Sequence, residues 1–315
     1  MQATRAKYER LIQDLRTELR PQREWGEGRG IFLVIGHFVV GVAAGTWLLS
    51  LWFDSRAAMA AAFVLGALGG VSHLAYLGRP ERALRMATRV RTSWIARGFW
   101  GLSLFLAGSF LYLVPLAPAG APWSAGSAIA GAGYTLALLG SLVLVVYMGF
   151  VYTASKAIPF WNSPLHPALY IAYALRGGTA VLLVSAAFGA NVDARVAELL
   201  LLWSGVTATV AALFLLEIHG AMTGGNPAAR RSVRELFAGR AALFFYGGTL
   251  ALGVLVPAIL VWTGLTGPLS LGAMAALGLA SAAGDFFMKY STIRAGVHLP
   301  VWTRLAPLRH SVRAP

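Results

Sequence analysis

The sequence predicts an all-α, polytopic membrane protein with eight transmembrane helices and both termini cytoplasmic. Three observations predict it. The chain is 57% hydrophobic, with a mean hydropathy of +0.67. Its charged residues make up only 12% of the chain, against about 25% in a soluble domain. Apolar runs of bilayer-spanning length, about 20 residues, lie near 31–53, 57–78, 98–116, 127–153, 167–188, 196–220, 241–263 and 269–289.

The formal charge of +14 sits between those runs. Residues 1–30 hold seven Lys/Arg, the second-to-third connector six from Arg79 to Arg97, the sixth-to-seventh four (Arg230, Arg231, Arg234, Arg240) and the tail after Tyr290 four. Lys156 lies between spans four and five, whereas the opposite connectors hold only Arg56 and Arg195. With eight spans every cation-rich segment falls on one side, as the positive-inside bias requires. The cations therefore report topology and not a nucleic-acid surface. There is no cysteine, which excludes disulfides and an iron–sulfur cluster held by this chain's thiolates. Residues 1–30 lack the apolar h-region of a signal peptide.

Three segments follow. Residues 1–30 form a cytoplasmic amphipathic helix and linker. "YERLIQDLRTEL" places Tyr8, Leu11, Ile12, Leu15 and Leu19 on one helical face, suited to headgroups or to a soluble partner. "PQREWGEGRG" then breaks that helix. Residues 31–290 form the eight-helix domain, whose fifth span is interrupted by Arg176. Residues 291–315 form a basic cytoplasmic tail.

An ionisable side chain at the bilayer centre costs roughly 2.5–3.5 kcal/mol, so each marks a functional candidate. At about 1.5 Å per residue, His37 lies roughly 9 Å below the cytoplasmic face, and His73 lies at a similar depth. Tyr147 and Arg176 approach from the same face at about 13 Å. Glu217 and His219 end span six there, and Asp285 and Lys289 end span eight.

Each has a plainer reading. His37 packs helices, Tyr147 belongs to an aromatic belt, Arg176 balances Glu217 or Asp285, and Asp285 pairs with Lys289 at i, i+4. Trp161 is an interfacial anchor or an aromatic wall for a flat ring.

Two chemistries use a shallow, one-sided polar cluster. A b-type haem needs facing axial histidines, which His37 and His73 offer. A quinone needs donors to two carbonyl oxygens, apolar walls and a proton route, and His, Tyr and the carboxylates satisfy more of that list. From another class, a transporter is expected to place its site at the midplane on broken helices.

Three segments then resemble a known family. "YLGRPERALRMATRVRTSW", "VYTASKAIPFWNSPLHPALYIAYALRGG" and "GDFFMKYSTIRAG" resemble, in order, segments of the membrane anchors of the dimethyl sulfoxide reductase type. Those anchors belong to the broader NrfD and polysulfide reductase superfamily. The style is closest to the anchors of cytoplasm-facing sulfite dehydrogenase or phenylacetyl-CoA oxidoreductase complexes. Tyr76 occupies the position of those anchors' quinol-associated histidine, with His73 one turn earlier. Asp285 and Lys289 replace their Glu–Arg pair.

The resemblance implies a quinone site (menaquinone or ubiquinone) built on His37, His73, Tyr147 and Tyr76. Arg176, Glu217, His219, Asp285 and Lys289 then serve as proton relay or structural ion pairs. It implies no metal, haem or iron–sulfur cluster in this chain. Its partners would be a ferredoxin-like [4Fe–4S] subunit and a molybdenum or tungsten bis-molybdopterin-guanine-dinucleotide subunit. The first would dock on Arg79, Arg82, Arg85, Arg89 and Arg91. The setting would be the bacterial inner membrane, with electrons passing to quinone.

Overall fold

The computed structural model describes residues 9, 12, 19–117, 121–188 and 195–299, except the side chains of Pro80 and Arg82. Most of the expected amphipathic helix and of the basic tail lies outside them.

Eight helices are long and apolar enough to cross a bilayer. They are α1 (Gly30–Phe53), α2 (Arg56–Leu77), α3 (Trp94–Leu113), α4 (Ala128–Thr153), α5 (His166–Ala187) and α6 (Val196–Thr223), then, after a short connecting helix α7 (Pro227–Ala238), α8 (Phe244–Thr266) and α9 (Leu271–Ala295). Among the described residues there is no β-strand, only an isolated bridge between Pro21 and Val297.

Local signals set the starts. Ser55, Ser93, Ser127 and Ser270 accept a backbone N–H at the entrances of α2, α3, α4 and α9, satisfying one of the donors a helix leaves orphaned. Pro167 and Pro227 occupy the first turns of α5 and α7, where a missing N–H costs nothing. Asp54 reverses the chain between α1 and α2 in the left-handed region (φ 48°). Apolar side chains such as Val64, Leu68, Leu215 and Ile259 stay exposed on the outer faces. That is the pattern of spans solvated by lipid.

α1 and α5 form the centre, with two thirds or nearly two thirds of their apolar windows buried. The segments just before α1 and just after α9 meet on one face of the bundle, here called the terminal face: Gln22 N–H donates to the Gly296 carbonyl, and His298 N–H to that of Arg20. Three elements differ from expectation. The second-to-third connector folds as a 3₁₀ helix, Pro80–Arg89. α8 opens as a π-helix over Phe244–Leu255, a form that is rare and often functional. The last helix also runs on to Ala295. Asp285 and Lys289 thus lie inside it and not at its end.

Candidate functional site

A cavity of about 200 Å³ lies near the terminal face among α1, α2, α3 and α4. His37 of α1, His73 and Tyr76 of α2 and Tyr147 of α4 all line it, so the four expected binding residues share one space. The His37 and His73 rings are 5.1 Å apart, and His37 and Tyr147 6.4 Å, edge to face. Tyr147 reaches its place because Gly98 of α3 has no Cβ, which would collide with the phenol ring. Phe99, Leu102 and Val151 supply apolar wall.

Two walls were not legible in the sequence. Trp25, from the segment before α1, lines the cavity and lies within 5.2–6.3 Å of Trp161, Tyr152 and His37. The 3₁₀ helix supplies the other. With three residues per turn, Ala83 and Met86 fall on one side; Ala83 is buried and Met86 lines the cavity. Trp100 Nε1–H donates to the Ala87 carbonyl and Arg97 to those of Val90 and Arg91, pinning this roof to α3.

Hydrogen bonds orient the histidines. His73 Nδ1 lies 2.8 Å from the Gly69 carbonyl. A carbonyl only accepts, so Nδ1 carries the proton, and neutral His73 keeps Nε2 as an acceptor. His37 Nδ1 lies 3.0 Å from the Tyr152 hydroxyl, a partner that sequence reasoning missed. Tyr152 reads as one more aromatic at a span end, and nothing in the string shows it turned toward α1.

Of the remaining expected residues, Arg176, Asp285 and Glu217 fall into two buried pairs, and Lys289 and His219 join neither. Arg176 pairs with Asp285, not Glu217. It also donates to Thr207 Oγ1 (2.8 Å) and the Gly253 carbonyl (2.5 Å), and its guanidinium lies 4.9 Å from the Trp203 ring centre. The π-helix explains the third contact, since it holds Gly253 close against Gly284 of α9, where neither has room for a Cβ.

Glu217 instead meets His166 Nδ1 at 2.5 Å, with both side chains essentially unexposed. His166 was not singled out because it stands at the boundary "PLHP". Lys289 does not take Asp285 as its close partner; it sits 4.7 Å from the Tyr170 ring centre and 3.4 Å from Met148 Sδ. His219 is exposed and belongs to neither pair. Trp161 is no interfacial anchor: it is 1% exposed and donates to the Thr292 carbonyl.

The basic connectors also differ. Arg231 and Arg240 are engaged with Glu235. Arg79, Arg85, Arg89 and Arg91 are exposed, and no ion pair among the described residues uses them. No group of three or more His, Cys, Asp or Glu side chains among the described residues is arranged to hold a metal.

A search of curated proteins returns no match. The family model described as polysulphide reductase, NrfD, matches residues 25–300, a stretch that holds all eight spans and the cavity. The chain belongs to the polysulphide reductase NrfD family.

Proposed function

We propose that the chain is the quinone-reactive membrane anchor of a three-subunit molybdenum or tungsten oxidoreductase. It exchanges electrons between the quinone pool and an iron–sulfur subunit, in the direction of quinone reduction. One observation carries this reading: His37, His73, Tyr76 and Tyr147 converge on one otherwise apolar cavity. These residues fit a quinone ring. Tyr147 and Tyr76 offer O–H donors, His37 a ring nitrogen, and Phe99 and Leu102 apolar surface. A quinone there supplies two-electron, two-proton chemistry. His73, with Nε2 as acceptor, can take the proton of a quinol in the reverse direction.

The reading places the terminal face in the cytoplasm of a bacterial inner-membrane protein, where the positive-inside bias puts basic connectors. There the free arginines of the second-to-third connector serve an acidic ferredoxin-like [4Fe–4S] subunit, which connects to the molybdopterin subunit. The anchor fails as a reading if the purified chain retains no iron–sulfur protein and instead moves a solute across vesicles.

Two expectations test its parts. Arg85→Glu with Arg89→Glu is expected to weaken co-purification of the iron–sulfur subunit at least tenfold while membrane insertion is retained, since the other basic segments still set topology. Normal retention would leave these cations with a topological role alone. The tail is expected to leave between α2 and α3, because Ile95 lines the cavity yet is half exposed on the outer surface. Ile95→Trp is then expected to slow a long-tailed quinone several-fold and leave a tail-less analogue unchanged. Equal slowing of both would place the exit elsewhere.

A further inference from the structure

A second and smaller void of about 30 Å³ lies among α1, α4, α5 and α9, sharing α1 and α4 with the cavity as walls. It is bounded by Tyr170 and Tyr173 of α5, Asp285, Lys289 and Thr292 of α9, and Met148 of α4. Such a volume has room for a water, and Tyr170, Asp285, Lys289 and Thr292 bring polar groups to a lining that is otherwise apolar. Asp285 Oδ2 is buried with no hydrogen-bond partner, since Arg176 takes only Oδ1. An orphaned carboxylate oxygen is costly and calls for an explanation.

Tyr152 and Tyr170 stand between the two spaces. Their rings lie 5.0 Å apart, tilted by 30°, so the two phenols are direct neighbours. Tyr152 also reaches His37 Nδ1 at 3.0 Å. Both tyrosines are buried. Tyr170 borders the void, and Lys289 lies against its ring.

We infer that Tyr152 and Tyr170 form a proton relay between His37 in the cavity and the void beside Asp285 and Lys289. The inference rests on the proposed quinone reading and adds the route by which His37 is resupplied. Each phenol has one proton to give. With Tyr170 donating to Tyr152 and Tyr152 to His37 Nδ1, neutral His37 carries its proton on Nε2. That is the opposite tautomer to His73.

For quinone reduction the relay supplies one of the two protons, and the other reaches the second quinone oxygen from water at the terminal face. Two electrons come from the partner's iron–sulfur centre, and each quinone oxygen takes one proton. When the His37 Nε2–H bond breaks to supply one of these, a bond forms between Nδ1 and the Tyr152 proton. Tyr152 is refilled from Tyr170, and Tyr170 from water in the void beside Asp285 and Lys289; a turn of the His37 imidazole then returns its proton to the cavity side. The His166–Glu217 pair lies beside this route, with the His166 ring stacked 5.3 Å from Tyr170, but no hydrogen bond links it to the chain among the described residues.

The test uses the intact complex with Tyr152→Phe and Tyr170→Phe, which keep both rings. Three quantities are read: affinity for a tail-less quinone analogue, the solvent deuterium isotope effect on quinone turnover, and the ¹⁵N NMR signature of histidine-labelled protein. For Tyr170→Phe, affinity is expected to stay within about twofold, while turnover falls roughly tenfold and the isotope effect rises. For Tyr152→Phe, the resonance of a hydrogen-bonded His37 Nδ1 acceptor should also be lost, a change visible without turnover. Wild-type turnover and isotope effect in Tyr170→Phe would overturn the relay. So would a wild-type His37 with its proton on Nδ1. If the analogue's affinity is instead indifferent to His37→Ala, the quinone reading itself has failed, which the Tyr170 result alone would not produce.

Discussion

His37→Ala and Tyr147→Phe are each expected to lower quinone turnover by roughly tenfold or more, while electrons drawn by a soluble dye upstream of the anchor still flow. Both residues line the cavity, and each presents a polar group to a space otherwise walled by Phe99, Leu102 and Val151. Removing one partner of a buried hydrogen bond costs about 1–3 kcal/mol, and about 1.4 kcal/mol corresponds to a tenfold change. The dye assay separates chemistry from folding. Equal loss in both assays would make these residues structural; unchanged quinone turnover would move the site elsewhere. Tyr147→Phe is the cleaner variant, because the ring that packs against Gly98 is kept and only the hydroxyl goes.

Much of this is legible in the sequence. Hydropathy and the alternation of cation-rich with cation-poor connectors yield the eight spans, because a bilayer imposes length and composition on every crossing helix. The family motifs found in the sequence lie within the region matched by the NrfD model. Counting along the spans puts His37 and His73 at about 9 Å and Tyr147 at about 13 Å below the same face, and the structure brings all three into one cavity.

What depth counting lacks is azimuth. It places Glu217, His219, Asp285 and Lys289 near one face but not on one side of their helices. So His219 proves exposed while Glu217, two residues earlier, points inward to His166. Spans that are apolar all round give little amphipathic signal to read a facing direction from. The same limit hid Tyr152, His166 and Tyr170. Their partners are 51–115 residues away in sequence where hydrogen bonds join them to His37 and Glu217. The π-helical opening of α8 left no trace either, since "FFYGGTLALGVL" reads as an ordinary apolar run. Its consequence, a Gly253 carbonyl presented to Arg176, exists only once α5, α8 and α9 are packed.

That packing carries the second large effect. Asp285→Ala is expected to destabilise the membrane domain severely, by about 3–5 kcal/mol, the range for removing one partner of a buried ion pair. Both side chains are 3% exposed, so a lone Arg176 would face an apolar interior. Its bonds to Thr207 and the Gly253 carbonyl leave its charge uncompensated. Asp285→Asn should cost less, because the amide oxygen still accepts from the guanidinium. Replacing both partners, Arg176→Leu with Asp285→Leu, should recover part of the loss, since apolar substitution of a whole buried pair is often neutral or stabilising. Retention of folded protein after mild heating in detergent would rank the three variants. The expected order is Asp285→Ala lowest, with Asp285→Asn and the double variant above it. If Asp285→Ala survives heating as well as the wild type, the pair does not hold α5 to α9, and Arg176 finds its compensation elsewhere.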